Sequence, residues 1–224
     1  MSNDNTRLQA MVFDMDGVIV DSHPAHRFAW REFLSTLGKE VSEKELDFVL
    51  DGRKRKDIFF HFLGPLTEAQ LQEFGKLKDD LFWRASSEVT PVAGILDFIE
   101  DARRQRIPLA VATSASAKRT QSILTRLGIL GHFAAIVTGE EVRQGKPDPS
   151  IYRLACQRIC RDPRVSVAFE DAVSGVLSAK SAGLKCVAIT SSQTKDNLTA
   201  AGADSVVRDF VSISVSDCHS LVQA

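Results

Sequence analysis

The chain has 224 residues, 44% of them hydrophobic and 25% charged, with 28 Lys+Arg against 29 Asp+Glu. That composition fits an ordinary globular protein of one or two domains and excludes disordered, collagenous and coiled-coil chains. A net charge of −1 supplies no cationic excess for a run of nucleic-acid phosphates, and no apolar stretch approaches the ~20 residues that span a bilayer, so no nucleic acid and no membrane is expected as a partner.

The opening segment, residues 1–10, is polar and carries no hydrophobic signal core, which points to the cytoplasm. From Gln9 the chain reads Q-A-M-V-F and then breaks into D-M-D-G, the pattern of a buried strand running into a loop. Residues 23–90 show no strand pattern. Ala29, Trp30, Phe33, Leu34 and Leu37 make one helical stripe, and Leu71, Phe74, Leu77 and Leu81 make another, opened by a Thr67/Gln70 capping box behind Pro65. Trp30 and Phe28 are expected to pack inside this insert. Pro91-Val92-Ala93-Gly94 marks the return of the main domain. Beyond it, apolar runs at 107–113, 134–138, 165–169, 185–190 and, more weakly, 204–207 alternate with helical segments. One helix stops at Gly128, one is opened by Asp148-Pro149, and one begins near Ala172 and stops at Gly183.

Uniformly apolar strands alternating with helices define an α/β fold, a doubly wound parallel sheet covered on both faces. Residues 1–22 and 91–224 are assigned to this core and residues 23–90 to an inserted all-helical cap, with a cleft between the two. The four cysteines, Cys156, Cys160, Cys186 and Cys218, hold no C-x-x-C pair and are expected as reduced thiols, with Cys156 and Cys160 packed together in the core.

Four motifs follow predicted strands: D14-M-D16-G-V, T113-S114, K146-P-D-P and E170-D171. Strand ends of a parallel sheet converge on one edge, where ligands of such sheets bind. Together they supply up to four carboxylates, two hydroxyls and one ammonium, a set that suits a divalent cation beside a phosphate. The strings D-M-D-G-V-I-V-D-S, V-A-T-S, G-K-P-D-P and F-E-D-A-V-S-G resemble those of the haloacid dehalogenase superfamily of aspartate-nucleophile phosphotransferases, over nearly the whole chain.

The resemblance implies Asp14 as nucleophile, Asp16 as general acid and base, Thr113, Ser114 and Lys146 as phosphate ligands, and Asp14, Asp16, Glu170 and Asp171 as holders of Mg2+, with Asp16 giving its backbone carbonyl. Two crowded carboxylates repel, which should raise the pKa of the one not held by metal and leave Asp16 as the acid. In the insert, G52-R-K-R-K-D57 carries four consecutive cations; Arg53, Lys54 and Lys56 read as a solvated face. Arg55, His26 and Lys78 fall where the β-phosphoglucomutase-like subgroup keeps an arginine for a remote phosphate, a hinge histidine and a cap lysine. Asp51 stands where the mutase pattern has a lysine, and its charge would oppose a second phosphate. His23, His61, His132 and His219 have no pattern around them.

The expected activity is a Mg2+-dependent phosphatase acting on a small phosphorylated metabolite, a sugar phosphate by preference, with no obligatory protein partner. A phosphomutase is the alternative. A dehalogenase needs neither a second acid at Asp16 nor a metal-binding Asp171, and a phosphoacceptor receiver domain is about half this length and lacks the insert.

Overall fold

The computed structural model describes residues 7–85 and 89–224; the first part of the polar opening segment lies outside them. In chain order the elements begin with β1 (Ala10–Phe13), β2 (Val20–Asp21), α1 (His23–Thr36), α2 (Glu43–Leu46), α3 (Arg55–Leu63), α4 (Glu68–Arg84) and β3 (Thr90–Pro91). They continue as α5 (Ile95–Arg104), β4 (Leu109–Thr113), α6 (Ala117–Arg126), β5 (Ala135–Thr138) and α7 (Ser150–Arg158). The last six are β6 (Ser166–Glu170), α8 (Val173–Ala182), β7 (Lys185–Ile189), α9 (Lys195–Ala200), β8 (Ser205–Val207) and α10 (Val215–Gln223).

Six strands form one parallel sheet in the order β5-β4-β1-β6-β7-β8, the doubly wound arrangement that the alternation predicts. Every residue of β1, β4 and β6 is buried, which is why these strands read as unbroken apolar runs. The two faces are filled differently. On one, Phe13 stacks on Phe169 at 4.7 Å, with Phe98 and Phe210 closing the cluster. On the other, Ala10, Val12, Ala110, Ala112 and Ala168 pack with Ile151 and Tyr152, and their small side chains let α7 lie close to the sheet.

The register sets the site. Phe13 is level with Val111 of β4 and with Phe169 of β6, so the residues that follow these strands emerge side by side. Strand β1 is central and departs into the loop carrying Asp14 and Asp16. The chain leaves for the helical insert through β2 and returns through β3, and these two short strands pair antiparallel, Val20 with Pro91 and Asp21 with Thr90. At two residues each, neither has a periodicity that a sequence could display.

Within the insert, Ala29, Trp30, Phe33 and Leu34 are buried on α1 as predicted, whereas Leu37 lies past the helix end and is exposed, as is Phe28. The Thr67/Gln70 capping box is present. The buried face of α4 is Gly75, Lys78, Leu81 and Phe82, and Leu77 of the predicted stripe is exposed. This rotation places a lysine in the interior. Cys156 is buried, but α7 ends before Cys160, which is exposed at φ 52 and shares no core with it. Pro149 rather than Asp148 occupies the N-cap position of α7, with the Asp148 carboxylate accepting from Ser150 N at 2.9 Å. Among the described residues no helix is long and apolar enough to cross a membrane.

Candidate active site

Asp14 sits directly after β1, with Lys146 Nζ 2.9 Å from its Oδ1. Lys146 is itself buried and contacts Glu170 Oε1 at 2.5 Å, at the end of β6. Glu170 Oε1 also accepts the hydroxyl of Tyr152 at 2.5 Å, and its Oε2 accepts the backbone N–H of Asp171 at 3.1 Å. Asp171 faces the same space; its Oδ2 accepts from Ser191 Oγ at 3.0 Å and lies 3.2 Å from His23 Nε2. Gly17, at φ +77, allows the loop to approach this carboxylate, because a Cβ there would overlap Asp171.

Ligand oxygens of Asp14, Glu170 and Asp171 lie within 4.8 Å of one another. Burial, and then the neighbouring charges of Glu170, Asp16 and Asp171, raise the Asp14 carboxyl to about 8 although Lys146 opposes the shift. Burial lowers the Lys146 ammonium, but Asp14 and Glu170 outweigh it and raise the net value. Three buried acids around one lysine are a charge deficit that a dication would fill. Asp14 Oδ1, among the described residues, is the buried side-chain polar atom with no hydrogen-bond donor aligned on it, its one close partner being the Lys146 ammonium. An all-oxygen set with one such atom fits magnesium. Asp14 and Asp171 are better placed to serve as ligands than Glu170, whose oxygens already take the lysine, the tyrosine and a backbone amide.

Asp16 turns its carboxylate away from this cluster, so of the residues expected at the metal it could contribute only through its backbone. Oδ1 accepts Ser22 Oγ at 2.6 Å and Arg119 Nη1 at 2.7 Å, and Oδ2 accepts Arg119 Nη2 at 2.6 Å. His26 Nε2 is 3.4 Å from Oδ1, and Lys78 Nζ is 3.1 Å from His26 Nδ1. Burial alone would raise the Asp16 pKa, but Arg119 and His26 hold it well below the usual carboxylate range. This corrects the expectation that crowding leaves Asp16 as the protonated partner: the guanidinium fork, with His26, outweighs the cost of burial. Burial and Lys78 push His26 down to about 3, and burial and Arg119 push Lys78 down to about 7. His26 and Lys78 are thus brought together with Asp16, at the seam between insert and core.

The cleft between them is a cavity of about 360 Å3 lined by Asp14, Asp16, Thr113, Ser114, Arg119 and residues of the insert. Thr113 is buried at the end of β4, its Oγ1 accepting from Ala115 N at 3.2 Å. Ser114 Oγ donates to Gly52 O of the insert at 2.6 Å. A model of the haloacid dehalogenase-like hydrolase family matches residues 8–183, which takes in all of these core positions. The chain belongs to the haloacid dehalogenase-like hydrolase family.

Individual relatives agree. The chain is 33% identical over 179 residues, 80% of its length and 83% of the relative's, to a phosphorylated carbohydrates phosphatase of Thermotoga maritima. It is 29% identical to a β-phosphoglucomutase of Bacillus subtilis, with 95% of this chain and 94% of the relative covered. A crystal structure of β-phosphoglucomutase from Clostridium difficile superposes with a TM-score of 0.86 at 22% identity, covering 96% of this chain and 97% of that one, and shares the fold.

This haloacid dehalogenase-like hydrolase differs from the sequence expectations mainly in the insert. Arg55 opens α3 and lines the cavity, but Nη1 donates to Asp79 Oδ2 at 2.7 Å and to Gly75 O at 3.2 Å. Gly75 permits this, since a Cβ would stand 3.0 Å from the guanidinium carbon. Asp51 points to the core instead of the cavity, accepting from Ser174 N at 3.2 Å and from Arg53 Nε at 2.9 Å. Its charge is therefore not set against a bound phosphate. Lys54 donates to Val142 O at 2.9 Å, so the cation run is partly docked and not wholly solvated.

Sequence reasoning missed Arg119, Tyr152, Ser191 and His23. Arg119 stands on α6 among other polar residues and Tyr152 on the amphipathic α7 between Ile151 and Arg153, and nothing local marks either. His23 follows D-S directly and starts α1, a position beside the metal-site loop that could have been noticed.

Proposed function

We propose that this hydrolase is a magnesium-dependent phosphoric monoester hydrolase of the cytoplasm, acting on a small phosphorylated metabolite, a sugar phosphate, through an aspartyl-phosphate on Asp14, with residues 23–90 as its cap. The observation that carries this reading is Asp14 Oδ1, buried, with no hydrogen-bond donor aligned on it and 2.9 Å from Lys146 at the floor of the cleft. The T. maritima relative's name as a phosphatase of phosphorylated carbohydrates supports the substrate class.

Magnesium, held by Asp14, Asp171 and the backbone of Asp16 with Glu170 behind them, would offset phosphate charge and keep Asp14 ionised. Asp14 attacks phosphorus, the ester P–O bond breaks, and Asp16, which is ionised in the structure and must take up a proton as the substrate enters, protonates the leaving oxygen. Water then attacks the phosphoryl group on Asp14 while Asp16 takes its proton, releasing phosphate. Lys146 neutralises the transferred group and, pinned by Glu170, which Tyr152 holds in turn, needs no reorganisation to do so. Thr113 and the backbone around Ser114 form the rest of the phosphate cradle, the Ser114 hydroxyl being committed to the insert.

Hydrolysis is favoured over phosphomutation because Arg55, the insert cation suited to a second phosphate, is neutralised by Asp79 at 2.7 Å. A mutase must regrip its bisphosphate intermediate in two orientations, which calls for an uncommitted cation. Two experiments test the proposal. Asp14→Asn should abolish phosphate release across a screen of phosphorylated metabolites with magnesium present, and residual turnover would refute the nucleophile. With β-glucose 1-phosphate and a trace of glucose 1,6-bisphosphate, free phosphate should appear faster than glucose 6-phosphate; the reverse order establishes a mutase.

A further inference from the structure

Arg119 has no role in the phosphoryl chemistry just described, yet it is buried in the cleft and covers the carboxylate that the chemistry uses. It comes from the first turn of α6, whose N-cap Ser116 accepts the Arg119 backbone N–H at 3.4 Å. Its guanidinium lies 5.0 Å from the centre of the Phe82 ring and 3.0 Å from His26 Nε2, both on the helical insert, and is only 10% exposed. Both Asp16 oxygens are engaged by it, at 2.7 and 2.6 Å, and Ser22 occupies Oδ1 as well. To hand a proton to an ester oxygen Asp16 must first carry one, and a carboxyl protonated on either oxygen cannot keep both of these charge-assisted bonds, so Arg119 gives up at least one of them.

A buried guanidinium that loses its carboxylate must find another anion, because an unpaired charge in that setting is strongly unfavourable. Among the described residues the buried or half-buried acids lining the cleft are committed. Asp79 holds Arg55 at 2.7 Å, and Asp14 and Asp171 belong to the metal cluster, while Glu68 and Glu140 are exposed, with partners of their own in Lys56 and Ala117 N. The replacement acceptor has to come from the substrate. It must lie near the ester oxygen, since both meet the Asp16–Arg119 pair within one hydrogen-bond length, about 3 Å.

We infer that Arg119 is a specificity residue: as the substrate engages Asp16, the guanidinium passes from that carboxylate to a second anionic group, a carboxylate or phosphate, carried close to the ester oxygen. Arg55 is a poorer taker, being held by Asp79 and more exposed to screening solvent. Lys78 is already engaged by His26 Nδ1 at 3.1 Å. The inference rests on the proposed roles of Asp14 and Asp16 and narrows the substrate class to phosphate esters bearing a neighbouring negative charge.

The test uses a matched pair, phosphoglycolate and 2-hydroxyethyl phosphate, which differ in a carboxylate against a hydroxymethyl group. In the wild type kcat/KM should favour the carboxylate, and in Arg119→Gln that preference should fall by about tenfold or more, the size of one charge-assisted hydrogen-bonded contact. Arg119→Lys should recover part of it, because a point charge replaces the fork. Equal losses on both esters, as a purely structural role would give, overturn the inference. So does a wild type that hydrolyses p-nitrophenyl phosphate but neither ester. Asp14→Asn separates the two levels: turnover surviving there sinks the proposed function itself, whatever the ratio in the Arg119 variants.

Discussion

Glu170 shows how one residue's neighbours change its reading. Taken from the sequence it is a metal ligand; in the structure its fully buried carboxylate holds Lys146 and Tyr152 at 2.5 Å each. Tyr152→Phe removes one donor from a buried carboxylate, so urea unfolding should lose about 1–3 kcal/mol, with a lower kcat on any substrate as Lys146 loosens; an unchanged midpoint would show that the hydroxyl contributes nothing. Lys78 offers a second test. Its folded pKa, about 7, lies below that of an unfolded lysine, so the unfolded state binds more protons above pH 7 and the contribution of Lys78 to stability rises with pH from about 7 towards 10. Lys78→Met should abolish that rise and be more stable than the wild type at pH 7 by on the order of 1–3 kcal/mol. Chemical denaturation of both proteins at pH 7 and pH 9.5 compares them; equal slopes would refute the buried, charge-frustrated lysine.

Helix α8 follows the Glu170-Asp171 pair, and its N-cap residue, Ala172, has no side chain with which to cap. The cap comes from the insert instead: Asp51 Oδ1 accepts Ser174 N at 3.2 Å, and Ser174 Oγ donates to Asp51 O. Gly52 fits the same contact, with room for a Cβ only 3.3 Å from Ala172 Cβ and Ser174 Oγ. Asp51→Ala should therefore cost about 0.5–2 kcal/mol, as lost N-caps do, while Asp51→Asn, which can still accept, should stay within ~0.5 kcal/mol; thermal melts rank the three. One turn further on, a Cβ at Gly175 would overlap the Glu170 carboxylate, so α8 can lie against β6 only with glycine there. Gly175→Ala should be the more damaging change, by about 3 kcal/mol or more, because neither the helix nor the carboxylate has space to move.

For the whole molecule the acidic cluster links stability to pH and metal. Asp14 keeps its proton in the folded chain up to about 8 but loses it near 4 when unfolded, so without metal stability should fall as pH rises between these values. Magnesium binds the deprotonated form. Its stabilisation, read as the rise in Tm at saturating Mg2+, should therefore grow from pH 5 to pH 8 and then level off. Asp14→Asn should be more stable than the wild type in chelator at pH 8, by a few degrees at about 2–4 °C per kcal/mol, and should lose most of the magnesium response. A Tm shift independent of pH, or one retained in Asp14→Asn, would place the cation elsewhere.

The order of elements, the parallel sheet and the positions of Asp14, Thr113, Lys146, Glu170 and Asp171 at strand ends or in the loops that follow were legible in the sequence because they depend on local signals: apolar runs, caps, and motifs at strand ends. Neighbouring strands then carry those loop residues to one edge with no further information needed. What only the tertiary structure decided is how the charges pair. Arg119 reaches Asp16 across a separation of 103 residues, and Asp51 reaches Ser174 across 123. The face that α4 buries was set likewise, by the Arg55 guanidinium against Gly75 and by Lys78 against His26 and the rings of Trp30 and Phe82. Hydrophobic periodicity reports burial along one element, whereas ion pairing in a cleft depends on distances between elements, and those exist only once the insert has folded over the sheet.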